Sequence, residues 1–397
     1  MVVRPDAGWL GDVLDRLHRS PELLARLAVV ANSAGDVRDD RFVALPGVPR
    51  LRPAQHAQGK RDRLRPGGIA SAYVSLPYYN NVMTDKSPAG WDGAIIVSTG
   101  RCGSTLVSRA LALHPDVLSL SEFFAGLDIS AFPEGSISGE EFWNLLSSTE
   151  GIANKLLKIG LEIAEFRYPV DSGRRFNRAS GVPRIAAYTL PALSEDPDAL
   201  YDQLEKTVPT FAEQPITQHY RELFALLVGL LNRPQWIERS GASGFLAEHI
   251  VAGFPAARYV HLTRELDATA RSMSRHSAFR LLALRLEFIN RCGSDVLFGE
   301  LPAEPIPPDL ANLTPERFSK ENFERWSPDL DHFRQLASIQ TDNIRANLGP
   351  LPARQVLVLS YEDLVDHPVA VFGRMAEFFE LADPAGWAQQ AAALVLR

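Results

Sequence analysis

The stretch that decides the fold is Ala94-Ile95-Ile96-Val97-Ser98-Thr99-Gly100-Arg101-Cys102-Gly103-Ser104-Thr105-Leu106-Val107-Ser108-Arg109. Its first residues are a short apolar run of the kind that forms a strand buried on both faces. A loop of small residues carrying one arginine follows, and Ser104 and Thr105 then open a helix. Small residues let backbone N–H groups approach a ligand, and the first turn of a helix leaves such groups unpaired and partly positive. That combination makes an anion site, most often a phosphate site. The plainer alternative is a strand–turn–helix connection that uses glycine for geometry alone. The loop is not a Walker A sequence, which needs Gly, four residues, then Gly-Lys-Ser/Thr. Here the glycines are Gly100 and Gly103 with no lysine after them, which disfavours an ordinary nucleoside-triphosphate enzyme.

Outward from this stretch, strand and helix signals alternate from Trp91 onward, which implies a parallel sheet covered by helices. Strands are expected at 94–98, 117–120, 235–238, 258–262 and 355–359. Helices are expected at 104–114, 243–252, 267–276, 279–290, 327–347 and 369–379. Between 129 and 234 the strand signal fades, and helices at 139–147, 154–164, 197–205 and 216–231 read as an insertion above the sheet. Before the α/β domain (91–397) lies an extension, residues 1–90. It is helical over 10–34, where leucines recur near helical spacing, and Pro-, Gly- and Arg-rich over 38–88. The basic run there (Arg50, Arg52, Lys60, Arg61, Arg63, Arg65) is a solvated loop or a flap over an anionic ligand.

At 397 residues the chain can bury a substantial core, and its 46% hydrophobic and 22% charged residues match a soluble globular protein. A net charge of −7 argues against nucleic acid as the main partner. Two cysteines, Cys102 and Cys292, cannot build a disulfide framework and fit a reducing compartment. The first residues carry no secretory pattern, and no apolar run reaches the roughly 20 residues that span a bilayer. A cytoplasmic location is therefore expected. The excess of arginine over lysine points to a GC-rich, bacterial coding sequence, which is an inference about codons rather than chemistry.

Three further segments carry chemistry. Arg264 follows the strand at 258–262, and Ser272 lies about two turns into the next helix; ligands of open α/β sheets bind beyond strand carboxyl ends. There an arginine can fork onto a phosphate and a hydroxyl can add a hydrogen bond, although Arg264 alone could equally be a surface partner of Asp267. The second is Trp236-Ile237-Glu238-Arg239-Ser240-Gly241, and the third is Ser360-Tyr361-Glu362-Asp363-Leu364. Each by itself is an ordinary strand end.

Together these four segments resemble the PAPS-dependent sulfotransferases, PAPS being 3′-phosphoadenosine 5′-phosphosulfate. In motif spacing they are nearest the tyrosylprotein, carbohydrate-type and related bacterial enzymes. The likeness spans Asp92 to Leu381, with the middle insertion unmatched. It implies a P-loop NTPase-like α/β fold and, for the first loop, 5′-phosphosulfate binding by Thr99, Gly100, Arg101, Cys102, Gly103, Ser104 and Thr105. It implies that Arg264 and Ser272, eight residues apart, bind the 3′-phosphate, and that Tyr361 belongs to the nucleotide site. The family's catalytic glutamate falls 21 residues after the loop arginine, beyond a His-Pro pair. That position is Glu122 here, with His114-Pro115 between. Arg239 stands where the family has a lysine, keeping the charge but changing the donor geometry. Only 36 residues follow Tyr361, fewer than in many relatives whose tail closes over the nucleotide.

The resemblance assigns Glu122 as the base that takes the acceptor proton, Arg101 as the stabiliser of charge on the leaving phosphate, and Arg239 as a second contact to the sulfonate. His249, His261 and His276 are reserve bases, and His114 reads as a helix-end residue. No metal-ligand pattern is present, and none is needed if arginines and helix-start N–H groups neutralise the transferred group. The acceptor implied is the hydroxyl of a small molecule, lipid or carbohydrate. Phe123, Phe124, Phe132, Phe142 and Trp143 are either its apolar pocket or simply core. The rival readings are a P-loop kinase, which would require magnesium and ATP, and a non-catalytic nucleotide-binding protein of the same fold.

Overall fold

Runs of Val, Ile and Leu that are apolar on both faces can be buried only by lying side by side between helices. In the computed structural model, which describes residues 92–172 and 174–395, the strands are β1 (Ala94–Ser98), β2 (Val117–Ser121), the short pair β3 (Ser136–Ile137) and β4 (Gln214–Pro215), β5 (Gln235–Arg239), β6 (Arg258–Thr263) and β7 (Val356–Ser360). Five of them form one parallel sheet in the order β2-β5-β1-β6-β7, and β3 and β4 pair antiparallel apart from it. The expected extension over residues 1–90 lies outside the described residues.

Alternation along the central strand divides the core in two. Ile95 and Val97 of β1 join Leu118, Leu120, Trp236 and Tyr259 on one face. Ala94 and Ile96 join Val117, Ile237, Val260 and Leu359 on the other, as the two-residue period of a strand requires. The second face is covered by helices Ser104–Leu111, Pro368–Phe379 and Pro384–Ala392, through Val107, Leu111, Phe372, Met375 and Trp387. The first is covered by helices Ile216–Leu231 and Ser277–Cys292, among others, through Tyr220, Phe224, Leu284 and Phe288. From β1 the chain runs to β2 on one side, whereas β6 and β7 lie on the other. The strand order thus reverses at β1, and a crevice opens beyond the carboxyl ends of β1, β5 and β6.

The expected strands are present, most extended by one residue because pairing continues to the sheet rim: Ser121 registers with Arg239 and Thr263 with Ser360. The helix expected to reach His114 stops at Leu111. There Leu113 N and His114 N turn back to the carbonyls of Ala110 and Leu111, at 3.1 and 3.0 Å, just before Pro115. The helix expected over 243–252 begins as a 3-10 turn, Ser243–Leu246, because Ser243 Oγ accepts the N–H of Ser98 at 3.0 Å and ties that turn to the end of β1. The helix expected over 154–164 spans Ile152–Lys158 and stops short because the chain turns at Gly160, whose φ is 76°. Short helices at Arg184–Tyr188, Lys320–Arg325 and Tyr361–Asp366 carried too few residues to show a period in the sequence.

Candidate anion-binding site and adjoining cavity

Positive φ at Gly100 (76°), Arg101 (58°) and Gly103 (82°) curls the loop after β1 back on itself. Helix Ser104–Leu111 then closes on the Gly103 carbonyl, which accepts from Leu106 N and Val107 N at 3.0 and 3.2 Å. No backbone carbonyl among the described residues accepts from Gly103, Ser104 or Thr105; the Ser104 N–H turns to the Cys102 sulfur, and those of Gly103 and Thr105 remain available at the positive end of the helix dipole. Glycine is required at 103 for a second reason. A Cβ there would stand 2.4 Å from Cδ2 of Tyr361, the first residue of helix Tyr361–Asp366.

Arg264 reaches this loop from the end of β6. Its Nη1 donates to the Arg101 carbonyl at 2.8 Å, and its guanidinium stacks 4.4 Å over the Tyr361 ring. Its Nε is buried without a hydrogen-bond partner. Asp267 instead pairs with Arg334 and Arg271, so the surface ion pair weighed for Arg264 does not form. Three segments far apart in the chain therefore meet at one point.

Glu122 lies at the end of β2 with φ 55° and ψ 30°, a left-handed conformation uncommon outside glycine. One carboxylate oxygen pairs with Arg239, and the other accepts Gly241 N at 2.8 Å. Arg239 is 1% exposed and also donates to Ser121 Oγ at 2.6 Å. The neighbouring Glu238 is fully buried. Burial pushes its carboxyl up to about 8 despite hydrogen bonds from Ser240 Oγ and Phe124 N, so it is largely protonated at neutral pH.

Sequence reasoning missed Glu165. Its carboxylate accepts from Arg101 Nη1 at 3.0 Å and pairs with His276 Nε2 at 3.0 Å. Burial would raise its pKa, but the hydrogen bond and charge of His276 and the charge of Arg101 outweigh it and hold the carboxyl near 2. Arg101 Nε also donates to Ser272 Oγ at 3.3 Å, which leaves the rest of its fork free. Glu165 lies in irregular chain with no periodicity, and only tertiary packing brings it across 64 residues to the loop.

A cavity of about 350 Å³ joins these groups. Of the residues the sequence singled out, Gly100, Arg101, Gly103, Ser104, Thr105, Glu122, Arg264, His276 and Tyr361 form its wall. Thr99, Cys102, Arg239 and Ser272 stand behind it, holding wall residues or filling core. Cys102 packs with Val107 and Leu111, and burial raises its thiol pKa, so it is no nucleophile. Phe123, Phe124, Phe142 and Trp143 are core, and Phe132 packs against that core; none of these aromatics lines the cavity. His249 packs at a tilt against Phe132, and burial drives His261 down to about 4; neither reaches the cavity. His114 is buried, bonding Ala382 O at 2.8 Å as a helix-end tether.

The far wall holds another unanticipated group. Arg285 pairs with Asp295 at 2.7 Å and with Asp128 at 3.3 Å, and both Arg285 and Asp128 line the cavity. Asp128 has φ 56° and ψ −145°, a region populated almost only by glycine, which costs roughly 1–3 kcal/mol.

The class this arrangement defines is an α/β protein with a five-stranded parallel sheet and a strand–loop–helix turn of the P-loop type. Among solved structures, the chain is similar to a sulfotransferase domain from the curacin biosynthetic pathway: 18% identity, 73% of this chain and 74% of that one covered, TM-score 0.39. It is also similar to the sulfotransferase domain of the Synechococcus PCC 7002 olefin synthase, with 18% identity, 75% and 78% covered, and TM-score 0.39. A sulfotransferase from Mycobacterium avium matches at 13% identity, 79% and 70% covered, and TM-score 0.37. The family described as lantibiotic dehydratase, N terminus, matches residues 1–64, which lie outside the described residues. No curated protein matches the chain. Among the described residues no helix is long and apolar enough to cross a membrane.

Proposed function

We propose that the chain is a sulfotransferase moving the sulfuryl group of 3′-phosphoadenosine 5′-phosphosulfate to the hydroxyl of a small-molecule, lipid or carbohydrate acceptor. The observation that carries this reading is the meeting of Arg264 with the Arg101 loop, at a cavity whose wall also holds Glu122. The residues fit a doubly anionic nucleotide. The loop offers unpaired N–H groups, and Arg264 has a buried Nε that lacks a partner.

The donor supplies a sulfuryl group on a good leaving phosphate. Gly103 and Thr105 would hold the 5′-phosphate by backbone N–H groups and Ser104 by its hydroxyl, and the free part of the Arg101 fork would neutralise charge as it grows there. A well-placed donor of this kind contributes about 3–4 kcal/mol. Arg264, held over the Tyr361 ring, would grip the 3′-phosphate, with Ser272 keeping Arg101 in line. Glu122 would take the acceptor proton, which is typically worth about 10²–10⁴-fold. Each carboxylate oxygen keeps a spare lone pair beyond the bonds to Arg239 and Gly241 N. Arg239 therefore acts on the reaction by fixing Glu122 rather than by touching the sulfonate.

Calorimetry with adenosine 3′,5′-bisphosphate tests the nucleotide site. Binding that falls about 10- to 100-fold in Arg264→Ala supports the reading, since a hydrogen bond to a charged group is worth about 1.5–3 kcal/mol. Unchanged affinity in that variant would refute it.

A further inference from the structure

Helix Ser277–Cys292 runs along the cavity, with Phe279, Leu282, Arg285 and Leu286 on the lining face, three and four residues apart. Phe279 marks the reacting end, because a Cβ on Gly100 would fall 2.6 Å from its Cζ. Arg285 lies six residues further on, about 9 Å along the axis at 1.5 Å per residue. The rest of the wall is mostly apolar, contributed by Ile152, Ile163, Phe245, Leu246, Leu282 and Leu286, with Tyr188, Glu165 and His276 as its polar members. At the far end Asp128 accepts from Arg285 through Oδ2, while Oδ1 has no hydrogen bond among the described residues. Its side chain is 27% exposed, and the Arg285 charge is already shared with the buried Asp295.

We infer that the acceptor is an elongated, largely apolar alcohol, with the reacting hydroxyl at one end and a hydrogen-bond donor about 9 Å away that Asp128 receives. This assignment rests on the sulfotransfer reading and narrows it. A sugar would set most of its hydroxyls against aliphatic and phenyl side chains that offer no partner, whereas an alkyl or ring body fills the same space without loss. In the transfer, the acceptor oxygen forms a bond to sulfur as the bond from sulfur to the bridging phosphate oxygen breaks. The electron pair leaves with the 5′-phosphate, and the hydroxyl proton passes to Glu122. Asp128 takes no part in these steps and selects the substrate.

The test uses the full chain with the donor and follows sulfated product by mass spectrometry. The probes are n-alkanols, α,ω-diols and amino alcohols of graded length, and glucose. A diol or amino alcohol whose end groups are about 9 Å apart should exceed the equal-length alkanol in kcat/KM by about 10- to 100-fold, the range for a hydrogen bond to a charged group. The two series separate a hydroxyl donor from an ammonium donor. In Asp128→Gly, which suits the φ of 56° and removes the carboxylate, that ratio should fall to near one. The length optimum in the unaltered protein stands even if the variant does not fold. Glucose turned over as well as the best diol, no length optimum, or an unchanged ratio in the folded variant would overturn the acceptor assignment alone. Failure to bind adenosine 3′,5′-bisphosphate would instead remove the donor reading, and this assignment with it.

Discussion

Glu122→Gln separates a catalytic glutamate from a merely structural one. Glu122 and Arg239 form a buried pair, with side chains 8% and 1% exposed. Neutralising the glutamate strands the Arg239 charge, whose remaining side-chain partner is Ser121 Oγ and whose Nε already lacks one. Breaking a buried pair from one side costs roughly 3–5 kcal/mol. At the lower figure the melting midpoint should drop by about 4–5 °C, because a chain of this size has an unfolding entropy of roughly 0.6–0.8 kcal/mol/K, and urea unfolding should show the same loss. Activity should vanish in the same variant. The double variant Glu122→Gln/Arg239→Met removes both charges, so most of the lost stability should return, since an uncharged replacement of a buried pair is often near neutral. Turnover should not return with it. A Glu122→Gln protein within about 1 kcal/mol of the parent would contradict the buried-pair energetics. A double variant that regained parental turnover would refute Glu122 as the base.

Other perturbations read other parts of the site. Gly103→Ala combines a positive φ with a Cβ 2.4 Å from Tyr361; it should displace that ring and weaken nucleotide binding by calorimetry at least about tenfold. Glu165 has a depressed carboxyl, so its stabilisation is present above about 4.5 and lost as pH falls toward about 2. The parent should exceed Glu165→Gln in unfolding free energy by up to about 3 kcal/mol at neutral pH, with the two curves converging in acid. Glu238 has the opposite sign. The folded state holds its proton up to about 8, so its contribution is complete below 4.5 and declines as pH rises through 8. Glu238→Gln should therefore melt higher than the parent at pH 8–9, by an increment that shrinks toward pH 5; an increment that does not change with pH would contradict the buried neutral carboxyl.

The sheet was legible because several of its strands are written as continuous apolar runs ending in a small residue, as in Ala94–Ser98 and Val356–Ser360. The shape of the loop after β1 was legible too, since glycines on either side of Arg101 between a strand and a helix leave few other geometries. What the sequence hid are groups whose roles depend on distant packing. Glu165 and His276 are 111 residues apart, and no local spacing links them. Asp128 has a glycine-like backbone angle that its residue type gives no reason to expect. The family resemblance made Arg239 a contact to the sulfonate; its burial beside Glu122 is set by packing across 117 residues that no local spacing shows. The aromatic cluster near Phe124 was ambiguous, because edge-to-face packing with Tyr220 and Phe224 and a binding pocket require the same residues.

The central claim is that the loop at 100–105 and Arg264 grip the two phosphates of one adenylate. Calorimetry of the full chain with adenosine 3′,5′-bisphosphate and with ATP, each with and without magnesium, measures it most directly. The account predicts micromolar, metal-independent binding of the bisphosphate and much weaker binding of ATP. Tighter binding of ATP that appears only with magnesium would contradict it.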